Sequence, residues 1–239
     1  MKRRGDRLII ALDYPEAEPA LGLARLIAGQ VGMLKVGLEL FNSAGPEVIA
    51  ALRELGARVF YDSKLYDIPN TVAGAAAAVG RMGVTMFNVH ALGGRGMMQA
   101  AKQASARAAE EAGFPPPLVI AVTIVTSLDE EALRNEVGIA EAMPRAVVRL
   151  ARLAQEAGLD GVVCSAGEVG ETKRACGKGF LTVVPGIRPA GAVRGDQARA
   201  ATPQAAVEAG ADYLVIGRPV TRAEDPCAAI AAIVQEIGG

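Results

Sequence analysis

Eight short apolar runs, roughly 30 residues apart and separated by stretches with helical spacing, set the tightest limit on how this 239-residue chain can fold. The runs fall at 8–12, 33–36, 58–61, 86–90, 118–125, 161–164, 181–184 and 213–216. Most are apolar without alternation, the pattern of strands buried on both faces of a parallel sheet. Between them, segments 15–30, 46–55, 71–82, 96–112, 144–157 and 203–209 carry Ala, Leu, Glu and Arg at helical spacing, and 226–237 forms a last helix. Gly56, Gly83, Gly113, Gly158 and Gly210 stand where helices need left-handed caps. Strand alternating with helix predicts an α/β protein. Eight units favour a closed (β/α)8 barrel, although a doubly wound open sheet has the same rhythm.

No linker, charge block or low-complexity stretch divides the chain, so residues 1–239 are expected to form one domain. Two connections are long. Segment 127–143 is expected to carry a short helix of its own. Segment 185–202 is rich in Gly, Pro, Ala and Arg without apolar periodicity, and is expected to hold a lid. Pro115-Pro116-Pro117 reads as a rigid loop between a helix and a strand.

The formal net charge of −1 and the absence of Trp give no support for nucleic-acid or membrane-surface binding. Cys164, Cys176 and Cys227 are scattered and include no CxxC pair, as free thiols in a reducing cytosol would be. The apolar run 8–12 stops at Asp13, too short for a signal-peptide core, and no later run is long enough to span a membrane. A cytoplasmic location is the expectation.

In such barrels the chemistry sits at the carboxyl ends of the strands. There the sequence places Asp13, Lys35, Asp62, Lys64, Asp67, His90, Thr126, Ser165, Arg188 and Arg218. Lys35 lies inside Met33-Leu34-Lys35-Val36-Gly37, where an unpaired ammonium would be costly, so a carboxylate is expected beside it, with Asp13 and Asp62 as candidates. Pro185-Gly186-Ile187-Arg188 and Ile216-Gly217-Arg218-Pro219 follow strands seven and eight, a common place for phosphate: glycine admits backbone N–H groups and arginine adds a forked donor. Gly93-Gly94-Arg95-Gly96 matches neither a P-loop nor a dinucleotide fingerprint and reads as a turn. His90 is the one histidine, read as structural, which leaves no His-based zinc site, and no Gly-x-Ser-x-Gly elbow occurs. No metal or cofactor is expected.

The segment Asp62-Ser63-Lys64-Leu65-Tyr66-Asp67-Ile68-Pro69-Asn70-Thr71 resembles the signature of the orotidine 5′-phosphate decarboxylase family, Asp-x-Lys-x-x-Asp followed by Ile-Pro-Asn-Thr. The likeness extends through Ile10-Ala11-Leu12-Asp13, Lys35-Val36-Gly37, Asn88-Val89-His90-Ala91, Val125-Thr126-Ser127, Pro185-Gly186-Ile187-Arg188, Gly195-Asp196-Gln197 and Val215-Ile216-Gly217-Arg218-Pro219-Val220. Ser63 and Tyr66 depart from the residues commoner at those places, but neither is a charged member of the motif.

The resemblance implies a (β/α)8 TIM barrel that converts orotidine 5′-phosphate to UMP and CO2 without a cofactor, the last step of de novo UMP biosynthesis. It implies that Asp13 and Lys35 hold the ribose hydroxyls and that Asp62 and Lys64 flank the reacting carbon, with Lys64 as proton donor. Asp67, Ile68 and Thr71 would serve the substrate across a homodimer interface. Thr126 would contact the pyrimidine, and Arg188, Gln197, Gly217 and Arg218 the phosphate, under a lid at 189–199. Carboxylates at spacings of two and three on either side of Lys64 would keep its ammonium charged and oriented.

Two other readings stay open at this stage. A metal-dependent sugar-phosphate decarboxylase or aldolase of the same superfamily would share Asp-x-Lys-x-x-Asp but would not need Gly-Asp-Gln or Ile-Pro-Asn-Thr. A non-catalytic phosphate-binding barrel would have no use for a buried Asp-Lys-Asp-Lys cluster.

Overall fold

The computed structural model describes residues 4–189 and 201–238. In chain order the elements are β1 (Leu8–Ala11), α1 (Ala17–Ile27), β2 (Met33–Val36), α2 (Leu38–Ala44), α3 (Glu47–Glu54), β3 (Val59–Leu65), α4 (Pro69–Arg81), β4 (Met86–His90), α5 (Gly94–Glu111) and β5 (Leu118–Val122). There follow α6 (Glu130–Asn135), α7 (Met143–Glu156), β6 (Gly161–Val163), α8 (Ala166–Cys176), β7 (Leu181–Val184), α9 (Pro203–Glu208), β8 (Tyr213–Ile216), α10 (Arg218–Thr221) and α11 (Pro226–Glu236). The strands run parallel in sequence order and close into a barrel, β8 pairing with β1 through Leu8–Leu214, Ile9–Val215 and Ile10–Ile216. Closure is the choice that the rhythm of the sequence left open, and it leaves no sheet edge unpaired.

Each strand divides its side chains between two cores because successive residues face opposite sides. Leu8, Ile10, Leu34, Val59, Phe87, Val119, Val162, Leu214 and Ile216 point outward and pack under the helices. Ile9, Ala11, Met33, Phe60, Met86, Ile120, Val183, Tyr213 and Val215 fill the barrel interior. All five expected cap glycines, Gly56, Gly83, Gly113, Gly158 and Gly210, have positive φ. The connection 127–143 holds the expected short helix, α6, whose N-terminus is capped by Asp129 through the Ala132 N–H at 2.8 Å.

The lower rim, at the amino ends of the strands, carries two matching clamps. Asp160, just before β6, accepts the Lys102 ammonium at 2.5 Å and the Val119 N–H of β5 at 2.6 Å. Asp212, just before β8, accepts the Lys173 ammonium at 2.6 Å and the Thr182 N–H of β7 at 2.8 Å. Each ties an outer helix to two strands.

Three differences from the sequence reading bear on the site. β3 continues to Leu65, past the expected end at 61, because the chain stays paired with β4 through a polar, irregular stretch. β5 stops at Val122, short of the expected end at 125, where Thr123 interrupts the apolar run and gives its N–H and its hydroxyl to Val163 O. The short helices α2 and α10 were not expected; each follows directly on a strand, where no apolar periodicity announces a helix of so few residues.

Candidate active site

The inner-face rule carries the chain from core to site. Two residues beyond Ala11, Met33, Phe60, Met86 and Val215, the same face presents Asp13, Lys35, Asp62, Asn88 and Gly217. These five residues line a cavity of about 510 Å3 at the carboxyl ends of the strands, together with Lys64, Thr126, Pro185, Gly186, Arg188 and Arg218. Its volume lies in the range of small-molecule sites. Ala11, Phe60, Val122, Val183 and Val215 form the apolar floor.

Four charges of alternating sign run along one wall. The Lys35 ammonium lies 3.1 Å from Asp13 Oδ1 and 3.3 Å from Asp62 Oδ2. The Lys64 ammonium donates to Asp62 Oδ1 at 2.6 Å. Both candidate partners of Lys35 are therefore in contact with it, and Asp62 joins the two lysines. Burial works against the charge on Lys35, but Asp62 and Asp13 outweigh it and hold its pKa above the ordinary lysine value of 10.5. Burial likewise opposes ionisation of Asp62, but Lys35 and Lys64, aided by hydrogen bonds from Lys64 and Asn88, hold its pKa below 3.8. Gly37 leaves room for this packing: a Cβ there would stand 2.9 Å from the Lys35 nitrogen.

Lys64 has φ of 49°, the one positive value at a non-glycine among the described residues. A side chain in that region costs on the order of 1–2 kcal/mol, and such outliers cluster at functional sites. The strain has a visible source. Tyr61 pairs with Phe87 and Leu65 with Val89, so residues 62–64 of β3 bulge opposite the single residue Asn88 of β4. Asn88 fills the gap. Its Oδ1 accepts the Lys64 N–H at 2.7 Å, its Nδ2 donates to Asp62 Oδ1 at 2.7 Å, and its carbonyl accepts the Ser63 hydroxyl at 3.0 Å. The sequence reading did not single out Asn88. The signal was present: a polar residue inside an apolar strand raises the same burial question that Lys35 raised.

Asp67 is not part of this array within the chain. Lys64 pairs with Asp62, while the exposed Asp67 carboxylate accepts the Ile68 N–H at 2.6 Å. The expectation that Lys64 sits between Asp62 and Asp67 holds for Asp62 only, because the chain turns outward after Leu65 to begin α4. Tyr66 and Ile68 are exposed on the same turn, and Thr71 is exposed in the first turn of α4. His90 packs its ring against Tyr66 at 5.6 Å between centroids, and burial and the nearby Lys64 lower its pKa below 6.5.

Farther round the rim, Arg188 and Arg218 stand after β7 and β8 with Gly186 and Gly217, and β8 adjoins β1 so that a Cβ on Gly217 would stand 3.7 Å from Asp13 Oδ2. The Arg188 N–H donates to Ala201 O at 2.9 Å, and Ala201 N–H to Gly186 O at 3.3 Å, which fastens the two flanks of the long connection together. Gln197 and the expected lid after Pro189 lie outside the described residues. Thr126 is buried at the cavity wall beyond β5. Among the described residues no three His, Cys, Asp or Glu side chains gather as a metal site, and no helix is long and apolar enough to cross a membrane.

Known proteins are similar to this chain over nearly its whole length. The chain is 53% identical over 232 residues to the orotidine 5′-phosphate decarboxylase of Moorella thermoacetica, an alignment covering 97% of this chain and 92% of that protein. It is 54% identical over 227 residues to the protein of that name from Dichelobacter nodosus, covering 95% and 96%. The crystal structure of the Lactobacillus acidophilus orotidine 5′-phosphate decarboxylase matches with a TM-score of 0.84 at 40% identity, covering 97% of this chain and 99% of that one. That from Pyrococcus horikoshii matches with a TM-score of 0.77 at 28% identity over similar coverage. The model of the orotidine 5′-phosphate decarboxylase / HUMPS family matches residues 6–233, nearly the whole barrel with every strand that feeds the cavity, and the chain belongs to that family.

Proposed function

We propose that this protein decarboxylates orotidine 5′-phosphate to UMP and CO2, completing de novo UMP synthesis. The observation that carries the reading is the Asp13–Lys35–Asp62–Lys64 array on the wall of a cavity that Arg188 and Arg218 also line. The names of the relatives agree with it.

The phosphate is held by Arg188, Arg218, the Gly217 backbone and Gln197, the pyrimidine by Thr126, and the ribose by Asp13 and Lys35. This places the carboxylate-bearing ring carbon beside Asp62 and Lys64. The bond from that carbon to the carboxylate breaks, CO2 leaves, and the electron pair stays on the carbon. A fixed ammonium stabilises that charge as it develops and then supplies the proton, giving UMP and a neutral Lys64 that water reprotonates. Asp62 keeps Lys64 aimed, and crowds the departing carboxylate with like charge. Binding energy from the distant phosphate is spent on holding the ring against the reacting groups.

The array also separates this reading from a metal-dependent sugar-phosphate reaction. Both Asp62 oxygens already contact lysine ammoniums, where a divalent ion would need free carboxylate oxygens. The test is loss of orotidine 5′-phosphate absorbance with and without EDTA. Turnover unaffected by chelator is expected; turnover that vanishes with EDTA and returns with Mg2+ would favour the metal-dependent reaction. No turnover, with phosphate-dependent binding intact, would favour a binding barrel.

Two further assignments belong with this function. The protein works as a homodimer in which Asp67, Ile68 and Thr71 of each chain complete the partner's site. The exposed Tyr66 and Ile68 beside Asp67, outside their own chain's array, support this. Residues 1–239 act as one barrel domain in the cytoplasm.

A further inference from the structure

We propose that Asn88 is a positioning residue for the reaction, one amide that fixes the strained backbone of Lys64 with its oxygen and orients the Asp62 carboxylate with its nitrogen. The inference rests on the functional reading above and extends it to a residue that acts through its neighbours.

The geometry makes this more than support for a bulge. Asn88 is 1% exposed, and both ends of its side chain are committed, at 2.7 Å each, to the two residues that flank the reaction. An amide is the one side-chain group of this size that offers an acceptor and a donor in a fixed plane. The backbone N–H of Lys64 has no strand partner of its own, since the register jumps from Tyr61 to Leu65. Without Asn88 Oδ1 that N–H would lose its partner, and the left-handed backbone of Lys64 would be free to relax toward ordinary strand geometry, which turns its side chain elsewhere. Asp62 Oδ1 receives both the Asn88 amide and the Lys64 ammonium, so the amide sets the direction from which the ammonium is met. The cavity's phosphate end is untouched by these contacts.

Substitution separates the two halves of the amide. Asn88→Ala removes both. Asn88→Asp keeps the size and an acceptor for the Lys64 N–H, but replaces the donor with an oxygen facing Asp62. Two adjacent carboxylates share a proton as pH falls, and the protonated pair regains a donor. The other titratable groups around them are Lys35 from β2, Lys64 from β3 and His90 from β4, with Asp13 beyond Lys35. They are common to wild type and variant, so the ratio of the two rates isolates the new pair.

The experiment measures kcat, KM and UMP affinity for wild type, Asn88→Ala and Asn88→Asp from pH 5 to 8, with melting curves, and separately follows the Asp62 carboxyl carbon by NMR as the pH is lowered from 5 through the acid range. For Asn88→Ala we expect kcat to fall about ten- to hundredfold, with KM and UMP affinity within about threefold. For Asn88→Asp the rate relative to wild type should climb as pH falls. The Asp62 titration in Asn88→Ala should move upward, a readout that needs no turnover and judges the positioning even if orotidine 5′-phosphate is not the substrate. If Asn88→Ala does not fold, the isosteric Asn88→Asp decides. A folded variant with wild-type kcat, a flat rate ratio, or an unmoved Asp62 titration would overturn the proposal, whereas failure of the wild type to turn over would overturn only the functional reading.

Discussion

Lys64 and Asp62 meet at 2.6 Å through side chains that leave the same bulged strand, and Lys64 reaches that contact from a left-handed backbone. Undistorted pairing with β4 would not hold it there. The contact is thus a product of the β3–β4 register as much as of the motif.

Lys64→Ala is expected to fold and to bind UMP, since the phosphate end of the cavity lies across the barrel. It should lose nearly all turnover. Removing a cation that faces the developing charge costs about 10²–10³-fold by analogy with one oxyanion donor. Loss of the proton donor adds roughly 10²–10⁴-fold. The two overlap, so a fall of at least about 10³ in kcat is predicted. Single-turnover decarboxylation, circular dichroism and UMP binding on one sample check it. A folded, ligand-competent variant keeping a tenth of wild-type kcat would remove Lys64 from the chemistry.

Asp62 and Lys35 should keep their charges across a wide pH range. The pKa of Asp62 is lowered from 3.8 and that of Lys35 raised from 10.5, so neither titrates between those values in the folded protein. The stability that Asp62 contributes is present above 3.8 and is lost as pH falls through its folded pKa. The contribution of Lys35 is present below 10.5 and is lost as pH rises through its folded pKa. Denaturant titrations at a series of pH values should therefore show no loss assignable to either group in the neutral range. A stability change there that disappears in Asp62→Asn would contradict the pairing.

Mixing inactive Lys64→Ala and Asp67→Ala chains should restore activity if Asp67 serves the partner's site. One site of each heterodimer then carries both defects and the other neither. About half the wild-type activity per heterodimer is expected, on the order of one working site in two. Confirmed subunit exchange without recovery would return Asp67 to its own chain's site.

Arg218→Ala should act mainly on binding. It removes a forked cation from the phosphate end and leaves Lys35, Asp62 and Lys64 in place. KM for orotidine 5′-phosphate should rise, with a smaller fall in kcat because the phosphate's binding energy also holds the ring in place. Steady-state kinetics on the phosphorylated substrate suffice. Unchanged kcat/KM would withdraw the arginine from the phosphate site.

The strands were legible because their apolar runs have to be buried on both sides, and the caps because Gly56 and its counterparts need a positive φ. β3 was read short at 61 because Asp62, Ser63 and Lys64 break the apolar run, although they stay on the sheet through a bulge that no propensity encodes. Asn88 stands in a quoted motif without a role, since that role depends on a neighbouring strand's register. Asp67 shows the reverse limit. Its place in the motif is plain, but its direction is set by the turn after Leu65, and a motif carries no direction.

The clamps centred on Asp160 and Asp212 lie at the opposite rim from the lysine array, and their carboxylates bond Lys102, Val119, Lys173 and Thr182, residues outside the cavity lining. Heat tolerance and turnover are accordingly adjustable by different hands. An engineer could reinforce the lower rim, for example around Lys102 or Lys173, and raise the working temperature with the reacting groups unaltered. Conversely, a library confined to the upper rim could explore new substrates on a frame whose melting point is held elsewhere.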